Sequence, residues 1–82
     1  LWAWGRNNWG QLGDGVGSNR EEPFQIGTAT NWQQISAGYN HSVARRSNGT
    51  LWTWGQNFNG KLGHGDTNHR NLPTQVGTAT NW

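Results

Sequence analysis

Several side chains of this sequence could bind a metal ion. His64, Asp66 and His69 lie within a six-residue stretch of a glycine-rich segment, and imidazole with carboxylate suits a divalent transition metal. A closely similar segment at residues 14–19 has no histidine, which favours a solvated loop over a metal site. Asp14 stands between two glycines, but calcium needs about six to eight oxygen ligands and few carboxylates lie nearby. We therefore predict neither a metal ion nor another cofactor.

The reactive residues give little support to an enzymatic site. The chain has no cysteine, and its three histidines, four serines and four carboxylates form no recognised catalytic arrangement. His41 begins a strand-like run and is interpreted as a structural residue. The glycine-rich segments do not match the phosphate-binding loop motif, and no helix is predicted after them. The sequence predicts a protein that is not an enzyme.

The remaining candidates are residues for binding. Trp9 and Phe58 precede glycines in loop-like segments, where an exposed aromatic ring can anchor a protein partner or stack on a sugar. Packing inside the fold is the alternative for both rings. Arg45 and Arg46 form the one adjacent basic pair, which could meet an acidic partner or end a solvated hairpin.

Charge and hydropathy narrow the class of partner. Six Lys and Arg residues against four Asp and Glu give a net charge of +2 with no basic cluster, which argues against a nucleic-acid partner. No apolar run approaches the roughly 18 residues that cross a bilayer, so no membrane contact is expected. The sequence leaves the cellular compartment open.

A gapless internal repeat organises the chain. Residues 1–32 align with residues 51–82 at an offset of 50, with 18 of 32 positions identical. The shared positions are mostly glycine, proline and large apolar residues, whereas the positions that differ are mostly polar. Two shared arginines, Arg20 and Arg70, are expected to have a structural role, such as bonding loop carbonyls. We divide the chain into a first unit, residues 1–50, and a partial second unit, residues 51–82.

The tryptophans and the turn residues indicate strands. Trp2 and Trp4 alternate with Ala3, and Trp52 and Trp54 repeat the pattern, which predicts strands with one apolar face. A further strand over residues 41–46 is expected to join the second of these in a hairpin. Three more strands are predicted over Trp32–Ser36, Phe24–Gly27 and Thr74–Gly77, the last two as edges. The residues assigned to the repeated scaffold are Trp2, Trp4, Trp32, Trp52, Trp54, Trp82, His41, Asn48 and Gly49.

The turn of the predicted hairpin contains Asn48 and Gly49. Asn-Gly between two strand-like runs is typical of a type I′ turn, because both central residues of that turn need a positive φ. We therefore predict a type I′ hairpin at this point.

The motifs of the repeat are similar to those of one known family. Trp4–Gly15 has the sequence WGRNNWGQLGDG, Pro23 follows, and Ile35–Ala44 has the sequence ISAGYNHSVA. The first motif recurs at Trp54–Gly65. This combination resembles the RCC1 (regulator of chromosome condensation) repeat, and in particular its bacterial members, over essentially the whole chain. Arg45 departs from the pattern, since the family usually has leucine there.

The resemblance implies an all-β fold of antiparallel four-stranded units, the blades of a β-propeller. The family forms seven-bladed rings, and a period of 50 residues gives this chain about 1.6 blades. We therefore expect a fragment of a larger propeller that binds protein partners through loops on one face of the ring.

Two other functions stay open at this stage. The edges of an incomplete blade can pair with further strands, so the chain could be a self-assembling subunit, an oligomer or a fibril, whose partners are copies of itself. Its tryptophan and asparagine content also suits a carbohydrate-binding module.

Overall fold

The computed structural model describes residues 1–82 and contains six β-strands and no helix. The strands are β1 (Trp2–Gly5), β2 (Arg20–Gln25), β3 (Trp32–Ala37), β4 (His41–Arg46), β5 (Leu51–Gly55) and β6 (Arg70–Gln75). They form two antiparallel sheets, β1-β2 and β3-β4-β5-β6, which confirms the prediction of all-β architecture with a four-stranded antiparallel unit. The larger sheet takes two strands from each side of residue 50. No segment forms a helix long and apolar enough to cross a membrane.

The predicted hairpin is present, but its turn is not of type I′. Gly49 has a φ of +83°, whereas no residue other than glycine has a positive φ, so Asn48 does not adopt the required conformation. The Arg46 carbonyl accepts from the Gly49 N–H at 3.0 Å, and the Arg46 N–H donates to the Thr50 carbonyl at 3.0 Å. This is a three-residue loop, a type I turn followed by a glycine bulge.

Gly49 is required for a second reason. A Cβ at this position would lie 1.7 Å from the carbonyl oxygen of Thr80, because the backbone near the C-terminus crosses the turn there. The N–H of Trp82 donates to the Gly49 carbonyl at 3.1 Å, which fixes that crossing. The indole of Trp82 itself is 53 % exposed.

The two prolines lie inside strands, whereas the predicted strands begin directly after them. The strand over Trp32–Ser36 is confirmed as β3, but β2 and β6 begin before Pro23 and Pro73, not after them. The register between β5 and β6 shifts between Thr53 and Gly55, opposite the region of Pro73. An edge strand with a bulge needs no ladder hydrogen bond from the proline nitrogen, so β6 continues through it.

Three tryptophans form the apolar centre of the four-stranded sheet. The ring centroid of Trp32 lies 6.1 Å from that of Trp52 and 6.0 Å from that of Trp54, both in edge-to-face geometry. The guanidinium carbon of Arg46 lies 4.0 Å from the Trp52 ring centroid and 4.4 Å from that of Trp32. Arg46 thus covers the cluster through cation–π contacts.

The equivalent tryptophans of the first unit are not covered. Trp54 is 2 % exposed, but its counterpart Trp4 is 57 % exposed, and Trp2 is 58 % exposed. The difference follows from strand order: β5 lies between β4 and β6, whereas β1 has only β2 beside it. The same residue pattern is therefore a core in one unit and a surface in the other.

This contrast predicts unequal costs for two matched substitutions. Trp54→Ala removes a buried ring and should lower the free energy of unfolding by about 3–5 kcal/mol, or prevent cooperative folding. Trp4→Ala should cost less than about 1 kcal/mol, because that ring is more than half exposed. Urea unfolding followed by far-UV circular dichroism measures both. Equal losses for the two variants would contradict the burial described here.

Candidate interaction surface

A buried asparagine side chain organises the loop between β1 and β2. Asn7, in this loop 1 (residues 6–19), is 0 % exposed. Its Oδ1 accepts from the backbone N–H of Leu12 at 3.0 Å, and its Nδ2 donates to the carbonyls of Val16 at 2.7 Å and Ser18 at 3.0 Å. One side chain thus satisfies loop backbone groups that have no strand partner.

The loop between β5 and β6 repeats this arrangement. In this loop 2 (residues 56–69), Asn57 is 0 % exposed. Its Oδ1 accepts from the Leu62 N–H at 3.0 Å, and its Nδ2 donates to the carbonyls of Asp66 at 3.1 Å and Asn68 at 2.9 Å. Both asparagines lie at identical positions of the repeat, but the sequence pattern assigned them no role. The sequence feature that could have identified them is a polar residue that is identical in both units, where most of the identical residues are glycine or apolar.

A carboxylate completes each loop, but from positions that do not correspond in the repeat. Asp14 Oδ1 accepts from the buried asparagine of loop 1 at 3.0 Å, and Asp14 Oδ2 pairs with Arg20. Asp66 Oδ1 accepts from the asparagine of loop 2 at 3.1 Å, and Asp66 Oδ2 pairs with Arg70 at 2.8 Å. The two arginines thus hold their loops structurally, but through carboxylates and not through the loop carbonyls suggested by the sequence.

The buried position of Asp14 is compatible with its charge. Burial alone raises the pKa of this carboxyl group, but the hydrogen bonds from Arg20, Val16 and Asn7 and the charge of Arg20 outweigh it, so the pKa lies below its usual 3.8. The ionised form is therefore the one that the folded loop favours.

The residues considered as metal ligands face three different partners. The Thr53 hydroxyl donates to the Leu62 carbonyl, so His64 Nε2, 2.9 Å from the Thr53 oxygen, carries a proton and donates to it. His69 Nδ1 accepts from a backbone N–H at 2.9 Å, and Asp66 is held in its ion pair. No three His, Cys, Asp or Glu side chains are grouped so that they could hold a metal ion.

Loop 1 contacts the start of β6, the strand into which loop 2 leads. A Cβ at Gly10 would lie 2.6 Å from the Cα of Asn71, so loop 1 approaches the start of β6 at a distance that only glycine permits. The N–H of Gly15 donates to the Asn71 carbonyl at 2.8 Å, and the Asn71 side chain donates back to the Gly15 carbonyl at 3.3 Å. These bonds fix loop 1 against the second unit.

This approach brings together three aromatic rings, which we name the aromatic platform: Trp9, Phe58 and His69. The Trp9 centroid lies 4.9 Å from that of Phe58 and 4.8 Å from that of His69, and the Phe58 and His69 centroids are 4.7 Å apart. Phe58 is 55 % exposed, His69 is exposed and Trp9 is half-buried. The two rings predicted as candidates thus meet across the units, where they pack together and still face solvent.

His69 joins the platform, although the sequence pattern indicated it only as a candidate metal ligand. Its Nδ1 accepts from the backbone N–H of Asn57, and Asn19 Oδ1 accepts from the N–H of Asn7 in the same way at 2.8 Å. At this pair of equivalent positions, the acceptor for the backbone N–H is therefore an amide oxygen in loop 1 and a ring nitrogen in loop 2. An asparagine aligned with a histidine did not indicate that both make the same hydrogen bond.

Arg45 and Arg46, both predicted as candidates for a partner contact, have different surroundings. Arg46 covers the tryptophan cluster, whereas Arg45 donates from Nε to the side-chain oxygen of Gln34 at 3.2 Å on the exposed surface. Successive side chains of a strand point to opposite faces, which separates the two charges. Arg45 is the one of the pair that we keep as a candidate.

His41 packs against the turn that precedes β4. A Cβ at Gly38 would lie 2.4 Å from the His41 ring, and the Gly38 N–H donates to the His41 carbonyl at 2.8 Å. Burial, together with the charge of Lys61, lowers the pKa of His41 below 6.5. The ring is therefore neutral at neutral pH and fills space beside the turn.

The all-β blade and its repeated loops define a class of repeat protein, and the sequence comparison gives the family. The family described as "Regulator of chromosome condensation (RCC1) repeat" matches residues 1–45 and 48–81, and a second family of the same description matches residues 32–61. The chain belongs to the RCC1 repeat family, as its motifs predicted. No curated protein sequence gives a significant match.

Solved structures share the fold. Human WBSCR16 is 24 % identical with a TM-score of 0.79, over 93 % of this chain and 21 % of that chain. Prp20p from Saccharomyces cerevisiae is 24 % identical with a TM-score of 0.80, over 96 % of this chain and 23 % of that chain. The chain thus spans between a fifth and a quarter of the length of these β-propeller proteins, and its fold is that of RCC1-type blades.

The ion pair of loop 1 predicts a pH dependence. Because the pKa of Asp14 is lower in the folded chain than its usual 3.8, its contribution to stability is fully present above that pH and is lost as the pH falls below it, through the lower pKa of the folded chain. Asp14→Asn should therefore be less stable than the parent chain at about pH 6 and should lose less stability between about pH 6 and pH 3. Urea unfolding at several pH values measures the slope.

The control for this prediction is Glu21→Gln, which removes one negative charge at an exposed position of β2. This variant should keep the pH slope of the parent chain. Identical slopes for the parent chain and Asp14→Asn would show that the loop does not depend on the ionised carboxylate.

Proposed function

We propose that this chain is a non-enzymatic scaffold element that binds a protein partner through its loops, with the aromatic platform as the contact. The observation that carries the proposal is the meeting of Trp9, Phe58 and His69 from two loops on one surface. Large aromatic residues are enriched among the side chains that dominate protein–protein binding energy.

The surroundings of the platform favour binding without rearrangement. The buried asparagines and the glycine contact with Asn71 hold both loops in place, so little conformational entropy is lost when a partner contacts the rings. Lys61, which is exposed and bonded to Gln56 at 2.6 Å, adds a positive charge to loop 2. A partner that presents an apolar side chain with acidic neighbours fits this chemistry.

The proposal of a protein partner is also supported by one structure of the same fold. Prp20p is described together with its binding to Gsp1p and histones, which are proteins. The Thr53 hydroxyl beside His64 is buried and donates to the Leu62 carbonyl, so it is not available as a nucleophile, and we propose no catalytic role for this pair. Sugar binding stays a prediction, which rests on the tryptophan and asparagine content. The one structural feature that would favour it is an exposed platform ring on which a sugar could stack.

Selection from a random peptide library displayed on phage tests the proposal. Peptides selected on the intact chain should bind Trp9→Ala and Phe58→Ala at least about tenfold more weakly, as expected for a central aromatic contact. Trp82→Ala is the matched control, because its ring is also about half exposed but lies outside the platform. Biolayer interferometry with the selected peptides measures each affinity.

Two outcomes would contradict the proposal. The first is a set of selected peptides whose affinity is unchanged by both platform substitutions. The second is binding to a glycan array that Trp9→Ala abolishes while no peptide is selected, which would support the carbohydrate-binding alternative instead.

A further inference from the structure

We propose that Asn59 is a site of spontaneous deamidation, which places a new negative charge beside the aromatic platform. The sequence contains two Asn-Gly pairs, Asn48-Gly49 and Asn59-Gly60. In such a pair the glycine has no Cβ to hinder the attack of its own nitrogen on the asparagine side chain. The structure distinguishes the two pairs, because the asparagine of the first is held by hydrogen bonds and that of the second is not.

The two pairs lie in turns of the same kind. The Gly49 N–H donates to the Arg46 carbonyl at 3.0 Å, and the Gly60 N–H donates to the Asn57 carbonyl at 3.1 Å. The two glycines have similar positive φ angles, +83° and +69°. Each glycine nitrogen must release its hydrogen bond before it can react, and this requirement is the same in both turns. A difference in reactivity therefore comes from the surroundings of each pair.

The side chain of Asn48 is fixed by Thr50. Asn48 Oδ1 accepts from the Thr50 N–H at 3.2 Å and from the Thr50 hydroxyl at 2.6 Å. The hydroxyl is itself oriented, because its oxygen accepts from the indole N–H of Trp52 at 2.8 Å. In loop 2 the residue that corresponds to Thr50 is Lys61, whose ammonium group donates elsewhere, and the Asn59 side chain is exposed with no hydrogen bond to the chain.

The backbone around the two glycines differs in the same direction. The Gly49 carbonyl accepts from the Trp82 N–H at 3.1 Å, and a Cβ at Gly49 would lie 1.7 Å from the Thr80 carbonyl oxygen. A Cβ at Gly60 would lie 3.6 Å from its nearest neighbour, the Asp66 carbonyl oxygen. The reaction needs the nitrogen and the side-chain carbon in line at about 3–3.5 Å, so the peptide between them must rotate. The turn of loop 2 has space for this rotation, whereas the hairpin turn does not.

The reaction consumes water and releases ammonia. The Gly60 nitrogen gives its proton to a base in solution and forms a bond to Cγ of Asn59, and the Cγ–Nδ2 bond breaks as Nδ2 takes up a proton and leaves as ammonia. Water then opens the resulting succinimide ring at either carbonyl carbon, which leaves an aspartate or an isoaspartate at position 59. Both products are negatively charged at neutral pH, and the isoaspartate also lengthens the main chain by a methylene group.

The new charge changes the surface that we propose for partner binding, and this consequence rests on that proposed function. Asn59 directly follows Phe58 of the platform and lies close in sequence to Lys61, whose positive charge favours a partner with acidic groups. A carboxylate at this point repels such a partner and offsets the attraction of Lys61. Deamidation therefore lowers the affinity of the platform as the chain ages.

The rates of deamidation are measured on the intact chain without a partner, at mildly alkaline pH, by peptide mapping with mass spectrometry. Asn59 should convert at least about tenfold faster than Asn48, since both hydrogen bonds of the Asn48 side chain must break before it reacts. Isoaspartate should form at position 59, where methylation by an isoaspartyl methyltransferase detects it. In concentrated urea, where the folded turns are lost, the two asparagines should convert at similar rates.

Matched variants test the consequence for binding, with the peptides selected on the fresh chain. Asn59→Asp should bind acidic peptides about threefold more weakly at low salt and less so at high salt, because the added charge is exposed. Asn48→Asp adds the same charge outside the platform and should leave the affinity unchanged. The aged parent chain should lose affinity, whereas aged Asn59→Gln should not, because glutamine forms the corresponding ring far more slowly.

Two results would overturn the proposed site. The first is conversion of Asn48 as fast as that of Asn59 in the folded chain, and the second is a product at position 59 without isoaspartate, since direct hydrolysis gives aspartate alone. Unchanged affinity of the aged chain would overturn the consequence for binding. Failure of the proposed function is distinguishable from all of these, because it leaves no peptide that depends on the platform but does not alter the rates in the partner-free chain.

Discussion

The rest of this structure depends on the hydrogen bonds that one buried asparagine makes in each long loop. The loops are rich in glycine and have no strand partners, so their backbone groups need another source of hydrogen bonds. Asn7 and Asn57 supply it from positions closed to solvent, each with one acceptor and one amino group fully used. The strands fix where each loop begins and ends, but the amide side chain fixes its path. The aromatic platform lies on that path.

The two loops also show which parts of such a network can change. The asparagine and the arginine keep their positions in the repeat, whereas the carboxylate comes from Asp14 in one loop and from Asp66 in the other. The network requires a charge at one point in space, and the glycine-rich backbone can deliver it from more than one point in the sequence. In loop 2 the position equivalent to Asp14 is thus free to hold another residue, His64, which bonds Thr53 of β5.

Much of the fold could be predicted because it rests on local patterns: alternating tryptophans for β1 and β5, an Asn-Gly turn for the hairpin and the offset of 50 for the repeat. The turn type could not, because an Asn-Gly pair also fits a three-residue loop that ends on glycine. The starts of β2 and β6 could not, because they depend on bulges in the neighbouring strands, which are distant in the sequence. Trp9 and Phe58 were identified as candidates, but their meeting with His69 joins non-equivalent positions of the two units, which an alignment of the repeat separates.

The role of the buried asparagine is tested by the free energy of unfolding of Asn57→Asp, compared with that of Asn59→Asp. The first substitution keeps the shape and the acceptor for Leu62 but places an acceptor where the amino group donated to Asp66 and Asn68. We expect Asn57→Asp to lower the free energy of unfolding by at least about 3 kcal/mol, since several buried polar groups become unpaired. The exposed Asn59→Asp should lower it by less than about 0.5 kcal/mol. Losses that agree within about 0.5 kcal/mol would show that the loop does not depend on the buried asparagine.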